Sequence, residues 1–463
     1  MKSSKIKYYF SIKSEDELKN LSYEELMEYT KNLTKDWHKL KKPKKNSSNS
    51  SIAPSSEIIS PNRKKNQSLR KKSDKLTGGQ IGHKGTTLKQ TDTPDKIINI
   101  EFNINSCKKC GYDISNTIAT LKEKRQVLDL KLNDIKIEII QYQSYSKICS
   151  NCGYNNHDNS YPIFVTPNIS YGKTIIAFVS YLNIVQYLPY NRIVLLLQDI
   201  FNISISQGTI DNLLKKASKL SKKELDKIVN KLSLSNLIGI DETGCKINGD
   251  KHWYWTFQND TQTFIVMNKS RSSKVITDQF KNGFVNATVV HDNYSGYSKL
   301  DCKNEQLCLA HKLRDLNYAI ECEDTQVMKD IKQLIQEAMI IHKEDLEPFQ
   351  RASLKIQYIL ALDKLLETKT IPKSETAKQI KSFYKSSHKI FTFLDNPFIP
   401  PDNNGSERAI RNIKVKSKVS QQFKSSQGAI DYANIRSIID TSRKRGLNEF
   451  ESLCTMINGD SVF

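Results

Sequence analysis

Residues 236–244 read Asn236-Leu-Ile-Gly-Ile-Asp241-Glu-Thr-Gly244, and residues 287–292 read Ala287-Thr-Val-Val-His-Asp292. Each is a short apolar run that ends on an aspartate, as expected of a strand buried on both faces. Between them, His252-Trp-Tyr-Trp-Thr-Phe257 and Thr263-Phe-Ile-Val-Met267 flank Gln258-Asn-Asp-Thr-Gln262 and read as a hairpin. Ser272 to Phe280 has helical character. The predicted order is strand, hairpin, strand, helix, strand.

Three strands in sequence, a crossover helix and a parallel fourth strand is the order of an RNase H-like fold, a mixed sheet with helices. There the central first strand lies beside the fourth, so Asp241 and Asp292 are expected within metal-bridging reach at the strand ends. A third acid, Glu407, sits in Pro400-Pro-Asp-Asn-Asn-Gly-Ser-Glu407-Arg-Ala-Ile-Arg411-Asn-Ile-Lys414. Helical spacing puts Asn404, Glu407, Arg411 and Lys414 on one face. Two strand-end acids and a helical one make an oxygen-rich site for Mg²⁺ or Mn²⁺, and two such ions suit in-line phosphoryl displacement. Arg408, Arg411 and Lys414 would hold flanking phosphates. A plain surface helix with ion pairs is the alternative, but it leaves the two aspartates unexplained. Glu407 lies 115 positions after Asp292. The intervening residues are strongly helical, with Val327, Ile331, Leu334, Ile335, Ala338 and Ile341 on one face. They read as a helical insertion between two parts of one core.

The 463 residues exceed one typical domain, and 71 Lys and Arg against 50 Asp and Glu leave a net charge of +21. About half of that charge, +10, lies between Lys39 and Lys75, a Ser-rich stretch with few large apolar residues. It reads as a disordered basic linker that either releases counterions from nucleic-acid phosphates or merely solubilises. Lys64, Lys65, Lys71 and Lys72 are its candidate phosphate contacts. Before it, Ser14-Glu-Asp-Glu17 and Ser22-Tyr-Glu-Glu25 are capping boxes. Leu26, Leu33 and Leu40 recur every seventh residue, which suits either a short coiled coil or an ordinary amphipathic helix. No run is long enough to cross a membrane or to serve as a signal peptide, so a cytoplasmic, nucleoid-associated protein is expected.

Cys107-Lys-Lys-Cys110 and Cys149-Ser-Asn-Cys152 are two like knuckles with 38 residues between them. They suit a structural zinc ribbon in which four thiolates leave no open position for chemistry. The glycine-dense Gly78-Gly-Gln-Ile-Gly-His-Lys-Gly85 has neither the spacing nor the context of a nucleotide-binding loop, and reads as a structural or phosphate-contacting turn. Further on, Arg192 to Phe201 and Ser206 to Ala217 form two helices across a tight turn. They fit a helix-turn-helix with Gln207, Thr209 and Asn212 near the start of its second helix, or a plain helical hairpin.

With these features in place, the chain resembles DDE transposases of the insertion-sequence-66 family. The resemblance runs almost end to end. It is carried by Asn46-Ser-Ser-Asn-Ser-Ser51, the glycine-dense turn, the paired knuckles and Tyr187-Leu-Pro-Tyr-Asn-Arg192. It continues through Asp241-Glu-Thr, Asp292-Asn-Tyr-Ser-Gly-Tyr297, Cys308-Leu-Ala-His-Lys-Leu-Arg314 and Asp402-Asn-Asn-Gly-Ser-Glu-Arg-Ala-Ile-Arg411, the last being the most discriminating. The resemblance implies that Asp241, Asp292 and Glu407 are a catalytic triad holding two metal ions. It also implies binding of terminal inverted repeats and target DNA, strand cleavage and strand transfer. At least a homodimer on DNA is expected, with accessory proteins of the same element as possible partners. An inactive DNA-binding descendant and a nuclease that cuts without joining are the alternatives.

The resulting domain expectation is an N-terminal helix at 1–40, the linker at 41–76 and a zinc-ribbon domain at 77–160. A helical region at 161–232 follows, then a first core part at 233–323, a helical insertion at 324–396 and a last core part at 397–463. Strand alternation turns Glu242 away from Asp241, so it is not counted as a ligand. Cys308 and His311 are spaced like metal ligands but have no partner pair nearby, and read as lining the core, with His311 or Arg314 touching DNA near the site as the alternative. Cys245, Cys302, Cys322 and Cys454 read as ordinary thiols, and Trp253 and Trp255 as packing residues.

Overall fold

The computed structural model describes residues 15–41, 171–297 and 300–463, with positions 43, 45, 49, 92–93, 110, 112–113, 115–116, 146–148 and 155–157. Contacts divide the chain into a unit of Met1–Leu69 with Ser144–Phe463 and a second unit, Arg70–Gln143. In the second, the Ser115 amide donates to Asp113 at 2.9 Å in an Asx-type turn. Every element described below belongs to the first.

Helix α1 (Glu15–Lys19) is followed by α2 (Tyr23–Lys41). Ser22 and Glu25 close the capping box at the start of α2: the Ser22 amide donates to Glu25 Oε2 at 2.9 Å and the Glu25 amide to Ser22 Oγ at 3.3 Å. Strands β1 (Ser146–Ile148) and β2 (Asn155–His157) pair antiparallel. Helix α3 (Lys173–Ser180) then runs into a π-helical turn over Tyr181–Val185. Helices α4 (Tyr190–Phe201), α5 (Gln207–Leu220) and α6 (Lys222–Ser233) follow. Asn202 ends α4 in the left-handed region at φ 52°, and Ser206 caps α5 by accepting the Thr209 amide at 3.1 Å.

The sheet is built from β3 (Leu237–Ile247), β4 (Asp250–Gln258), β5 (Thr263–Asn268), β6 (Phe284–His291) and β7 (Cys302–Leu307), with the short α7 (Lys274–Gln279) before β6. Its order is β5-β4-β3-β6-β7. The first three strands are antiparallel neighbours, whereas β3–β6 and β6–β7 are parallel. β3 runs further than the apolar run suggests because Asn248 (φ 47°) and Gly249 (φ 89°) make the tight turn into β4. Positive φ at both central positions matches the right-handed strand twist, and an Asn-Gly pair tolerates it best. β7 is a polar outer strand that the sequence reading does not locate.

Two helical layers flank this sheet. Helices α8 (Leu309–Glu323), α9 (Gln326–Ile341), α10 (Pro348–Leu366) and α11 (Glu375–Tyr384) close a core of their own around Leu313, Met328, Ile331, Leu362 and Phe383, joined by Val290 and Leu307 from the sheet. The chain then returns through α12 (Asn404–Ser420), α13 (Ser426–Lys444) and α14 (Glu449–Asn458). Helix α13 covers the free edge of β5. Ser437 Oγ accepts the Ile265 amide at 2.9 Å and Thr441 Oγ1 accepts the Thr263 amide at 3.0 Å, so outward-facing donors are paired inside the molecule.

Candidate active site

Asp241 and Asp292 are brought to one level by strand register. Gly239 of β3 pairs with Val290 of β6 across parallel strands, and each aspartate lies two residues further on. Adjacent strands lie roughly 4.8 Å apart, so the two side chains are neighbours. Local amides orient both: Glu242 N–H donates to Asp241 Oδ1 at 2.9 Å and Tyr294 N–H to Asp292 Oδ1 at 3.0 Å. Burial pushes the Asp241 carboxyl well above the usual range, and the Asp292, Glu242 and Glu407 carboxylates add to the rise. The Glu407 contribution is the smallest of these, and it comes from a different layer.

Glu407 lies in the first turn of α12, and that turn is held against β3 by unusually close packing. Asn403, fully buried before the helix, donates from Nδ2 to the Ile240 carbonyl at 2.7 Å, directly before Asp241. Its own amide donates to Cys308 Sγ at 3.2 Å. A Cβ at Gly239 would stand 2.3 Å from Gln258 Nε2 and 2.6 Å from Ser406 Oγ, and one at Gly405 would stand 2.6 Å from Gln258 Nε2. A side chain at either position would run into the Gln258 amide, and at Gly239 into the Ser406 hydroxyl as well, so glycine at both leaves room for these side chains between strand and helix. Further along α12, Tyr187 Oη donates to Asn412 Oδ1 at 2.9 Å and Tyr432 Oη to the Asn412 carbonyl at 3.3 Å. Arg408 and Arg411 are exposed on this helix. Lys414 is half-buried; burial lowers its pKa, while the Asp241 carboxylate opposes that shift.

Cys308 and His311, separated from Glu407 by about a hundred residues of sequence, converge on it. His311 Nε2 is 3.9 Å from Glu407 Oε1, and one ligand atom each from Cys308, His311 and Glu407 lie within 4.8 Å of one another. The expectation that these two residues merely line the core misses this partner, because the third member is distant in sequence. Cys308 itself is buried, and burial pushes its thiol up to about 12. Glu242 is committed to other partners. Its carboxylate accepts from Arg271 Nη2 at 2.6 Å and from Tyr297 Oη. The Arg271 guanidinium lies between Trp253 and Tyr294, 4.5 and 3.9 Å from the ring centroids. Trp255 is fully buried, and Trp253 packs against Arg271.

A family model described as transposase IS66 family matches residues 168–431, more than half of the chain, and the matched segment contains Asp241, Asp292, Cys308, His311 and Glu407. The chain belongs to this family of DDE transposases. No curated protein matches it. In this transposase the two strand-end aspartates offer carboxylate oxygens, which suit a hard divalent cation, and the burial and neighbouring acids that raise the Asp241 pKa mark a place where added positive charge is favoured.

The other expected contacts of the transposase fall in different places. Gln207 and Asn212 are exposed on α5, while the Thr209 hydroxyl lies 2.9 Å from Ser206 Oγ in the cap. Cys110 is exposed; Cys107, Cys149 and Cys152 lie outside the described residues, as do Lys64, Lys65, Lys71, Lys72 and the turn from Gly78 to Gly85. Among the described residues no helix is long and apolar enough to cross a membrane. Gly239, Asn403 and the Tyr294 amide were not singled out by sequence, although Asn403 and Tyr294 stand inside the motifs that carry the resemblance.

Proposed function

We propose that Asp241, Asp292 and Glu407 form the catalytic triad of an RNase H-like core that cleaves and rejoins DNA at the ends of a mobile element. The observation that supports this reading is the pairing register of β3 and β6, which brings the two aspartates to one level, with the first turn of α12 that carries Glu407 tied to β3 through Asn403. The three carboxylates would hold two Mg²⁺ or Mn²⁺ ions. Bound there, such ions polarise phosphoryl oxygens and ease deprotonation of the attacking water or hydroxyl. The chain's own residues do the rest. The Glu242 and Tyr294 amides fix the two aspartates, and Asn403 fixes the helix that carries Glu407. Arg408 and Arg411 grip flanking phosphates, and Lys414 balances charge near Asp241.

Water attack would free a 3′-hydroxyl at the element end, and the same site would direct that hydroxyl at target DNA. Neither step needs a covalent protein–DNA intermediate. Terminal inverted repeats would be held by a zinc ribbon of Cys107, Cys110, Cys149 and Cys152, by Lys64, Lys65, Lys71 and Lys72, and by Gln207, Thr209 and Asn212 of α5. The second knuckle falls in sequence between the paired β1 and β2, a suitable setting for metal-binding cysteines. Bringing two ends together calls for at least a dimer. The test is cleavage of a labelled terminal repeat in Mg²⁺, followed by strand transfer from a pre-cut end. Equal cleavage by wild type and Asp241→Ala would end the proposal, and cutting without any joined product would reduce it to a nuclease.

A further inference from the structure

We infer that Cys308, His311 and Glu407 form a second metal site, selective for a soft divalent ion of the Zn²⁺ class, and that its occupation switches the active site off. The regulatory half of this inference rests on the proposed role of Glu407; the binding half does not.

The donor chemistry separates the two sites. Asp241 and Asp292 offer only oxygen, whereas this cluster adds a thiol sulfur and an imidazole nitrogen to the Glu407 carboxylate. Thiolate and imidazole favour zinc, while Mg²⁺ prefers oxygen and water. Zinc binds sulfur at about 2.3 Å and nitrogen or carboxylate oxygen at about 2.0–2.2 Å, so ligands on one ion stand roughly 3.3–3.8 Å apart. The three ligand atoms lie within 4.8 Å, and His311 Nε2 is already 3.9 Å from Glu407 Oε1. Small side-chain rotations close the remainder.

The scaffold favours such binding. Cys308 stands immediately before α8 and His311 in its first turn, so a metal-bound thiolate would face the positive end of a 15-residue helix. The Asn403 amide already donates to Cys308 Sγ at 3.2 Å and would stabilise that thiolate further. His311 Nδ1 is buried without a hydrogen-bond partner, so no internal hydrogen bond through that nitrogen restrains the ring. Binding displaces the Cys308 proton to solvent and involves no redox change. A carboxylate committed to this ion is drawn away from Asp241 and Asp292, so the soft metal competes for the one ligand the two sites share.

The test has two readouts on the full-length protein. Co²⁺ is titrated as a spectroscopic stand-in for zinc, and thiolate-to-cobalt charge-transfer absorption is followed in wild type, Cys308→Ser and His311→Gln. The knuckle cysteines are common to all three proteins, so the difference isolates this site. Wild type should bind one more equivalent than Cys308→Ser. His311→Gln should bind that equivalent more weakly, by at least the roughly 10–100-fold that even an outer-shell change costs. Separately, Zn²⁺ is added to Mg²⁺-driven cleavage, and the ratio of rates with and without Zn²⁺ is compared within each protein. Wild type should be inhibited, and both variants should resist at the same Zn²⁺ concentration. Identical cobalt spectra in wild type and Cys308→Ser would overturn the site. A cobalt difference without a difference in zinc inhibition would overturn the switch. Wild type inert in Mg²⁺ alone would instead refute the proposed catalysis, and the cobalt result would still decide whether the site exists.

Discussion

Gly239→Ala adds one methyl group between β3 and the first turn of α12, two residues before Asp241. The new Cβ would lie 2.3 Å from Gln258 Nε2, 2.6 Å from Ser406 Oγ and 3.2 Å from Asn403 Oδ1. Ordinary contact begins near 3.4 Å, so the two nearest neighbours must each withdraw by about 1 Å. Gln258 is not free to do so at no cost. Its Nε2 donates to Ser406 Oγ at 3.3 Å and its Oε1 accepts from the half-buried Lys444 Nζ at 2.6 Å. Ser406 is fully buried on α12 next to Glu407, so its retreat carries the helix start with it. Overpacking of this kind costs about 1–3 kcal/mol of stability, and a displacement of about 1 Å at a reacting centre costs on the order of 100-fold in rate. The expected outcome is a folded protein with a slightly lower melting temperature, unchanged affinity for terminal-repeat DNA and cleavage reduced roughly 100-fold. The assay is single-turnover cleavage of a labelled end in Mg²⁺, beside a filter-binding measurement. Adding Gln258→Ala removes the nearest clash but not the one with Ser406, so the double variant should recover only in part. Wild-type cleavage by Gly239→Ala would refute the idea that the tight fit of Gln258 and Ser406 against Gly239 places Glu407.

Three further outcomes follow from the same geometry. Asn403→Ala removes the donor to the Ile240 carbonyl and leaves a buried acceptor unpaired, which should cost about 1–3 kcal/mol in urea unfolding and reduce cleavage as well; loss of neither would remove Asn403 from the positioning network. Because burial and neighbouring acids raise the folded-state pKa of Asp241, the metal-free protein loses stability as pH rises from the unfolded aspartate value near 3.9 through the raised one. In EDTA at pH 7.5, Asp241→Asn should therefore melt higher than wild type, by about 2–4 °C for each kcal/mol relieved, with the gap closing towards pH 4; a gap that does not shrink would contradict the sign. Arg411→Ala should weaken DNA binding and reduce the salt slope of log K by about 1, and an unchanged slope would mean that Arg411 touches no phosphate.

Much of the central sheet was legible because β3, β4, β5 and β6 are dense in apolar residues and their buried positions follow from that alone. β7 was not, because Cys302-Lys-Asn-Glu-Gln-Leu307 carries two charges and buries only its last two residues. The extension of β3 to Ile247 was legible in principle, through Asn248-Gly249, a hairpin signal that the apolar pattern overshadowed. The helical face through Glu407 followed from periodicity, but only the fold turns Arg411 outward and sets Lys414 under the influence of Asp241. Contacts such as Asn403 with Ile240, or Glu407 with His311, join residues far apart in sequence and leave no periodic trace in it.

The neck of the chain's long excursion explains how so many residues can separate Asp292 from Glu407 without loosening the site. The chain leaves the sheet at Cys308, touches β7 again through Ile390, Thr392 and Phe393, and comes back beside Cys308 at Pro401. There the Leu309 amide donates to the Pro401 carbonyl at 2.9 Å, and the Asn403 amide to Cys308 Sγ at 3.2 Å. The two ends are thus pinned together beside the acids, while α9, α10 and α11 bury their apolar faces mainly against one another and α8. A loop whose ends are fixed adds only a slowly growing entropic cost as it lengthens. The position of Glu407 is then set by Gly239, Gly405, Gln258 and Asn403 at the strand, not by the helices the chain visits on the way. Cys308 takes part in that neck through its sulfur. A soft metal on Cys308, His311 and Glu407 would therefore pull on the hydrogen bond that closes the excursion as well as on the carboxylate, acting on the site through two contacts at once.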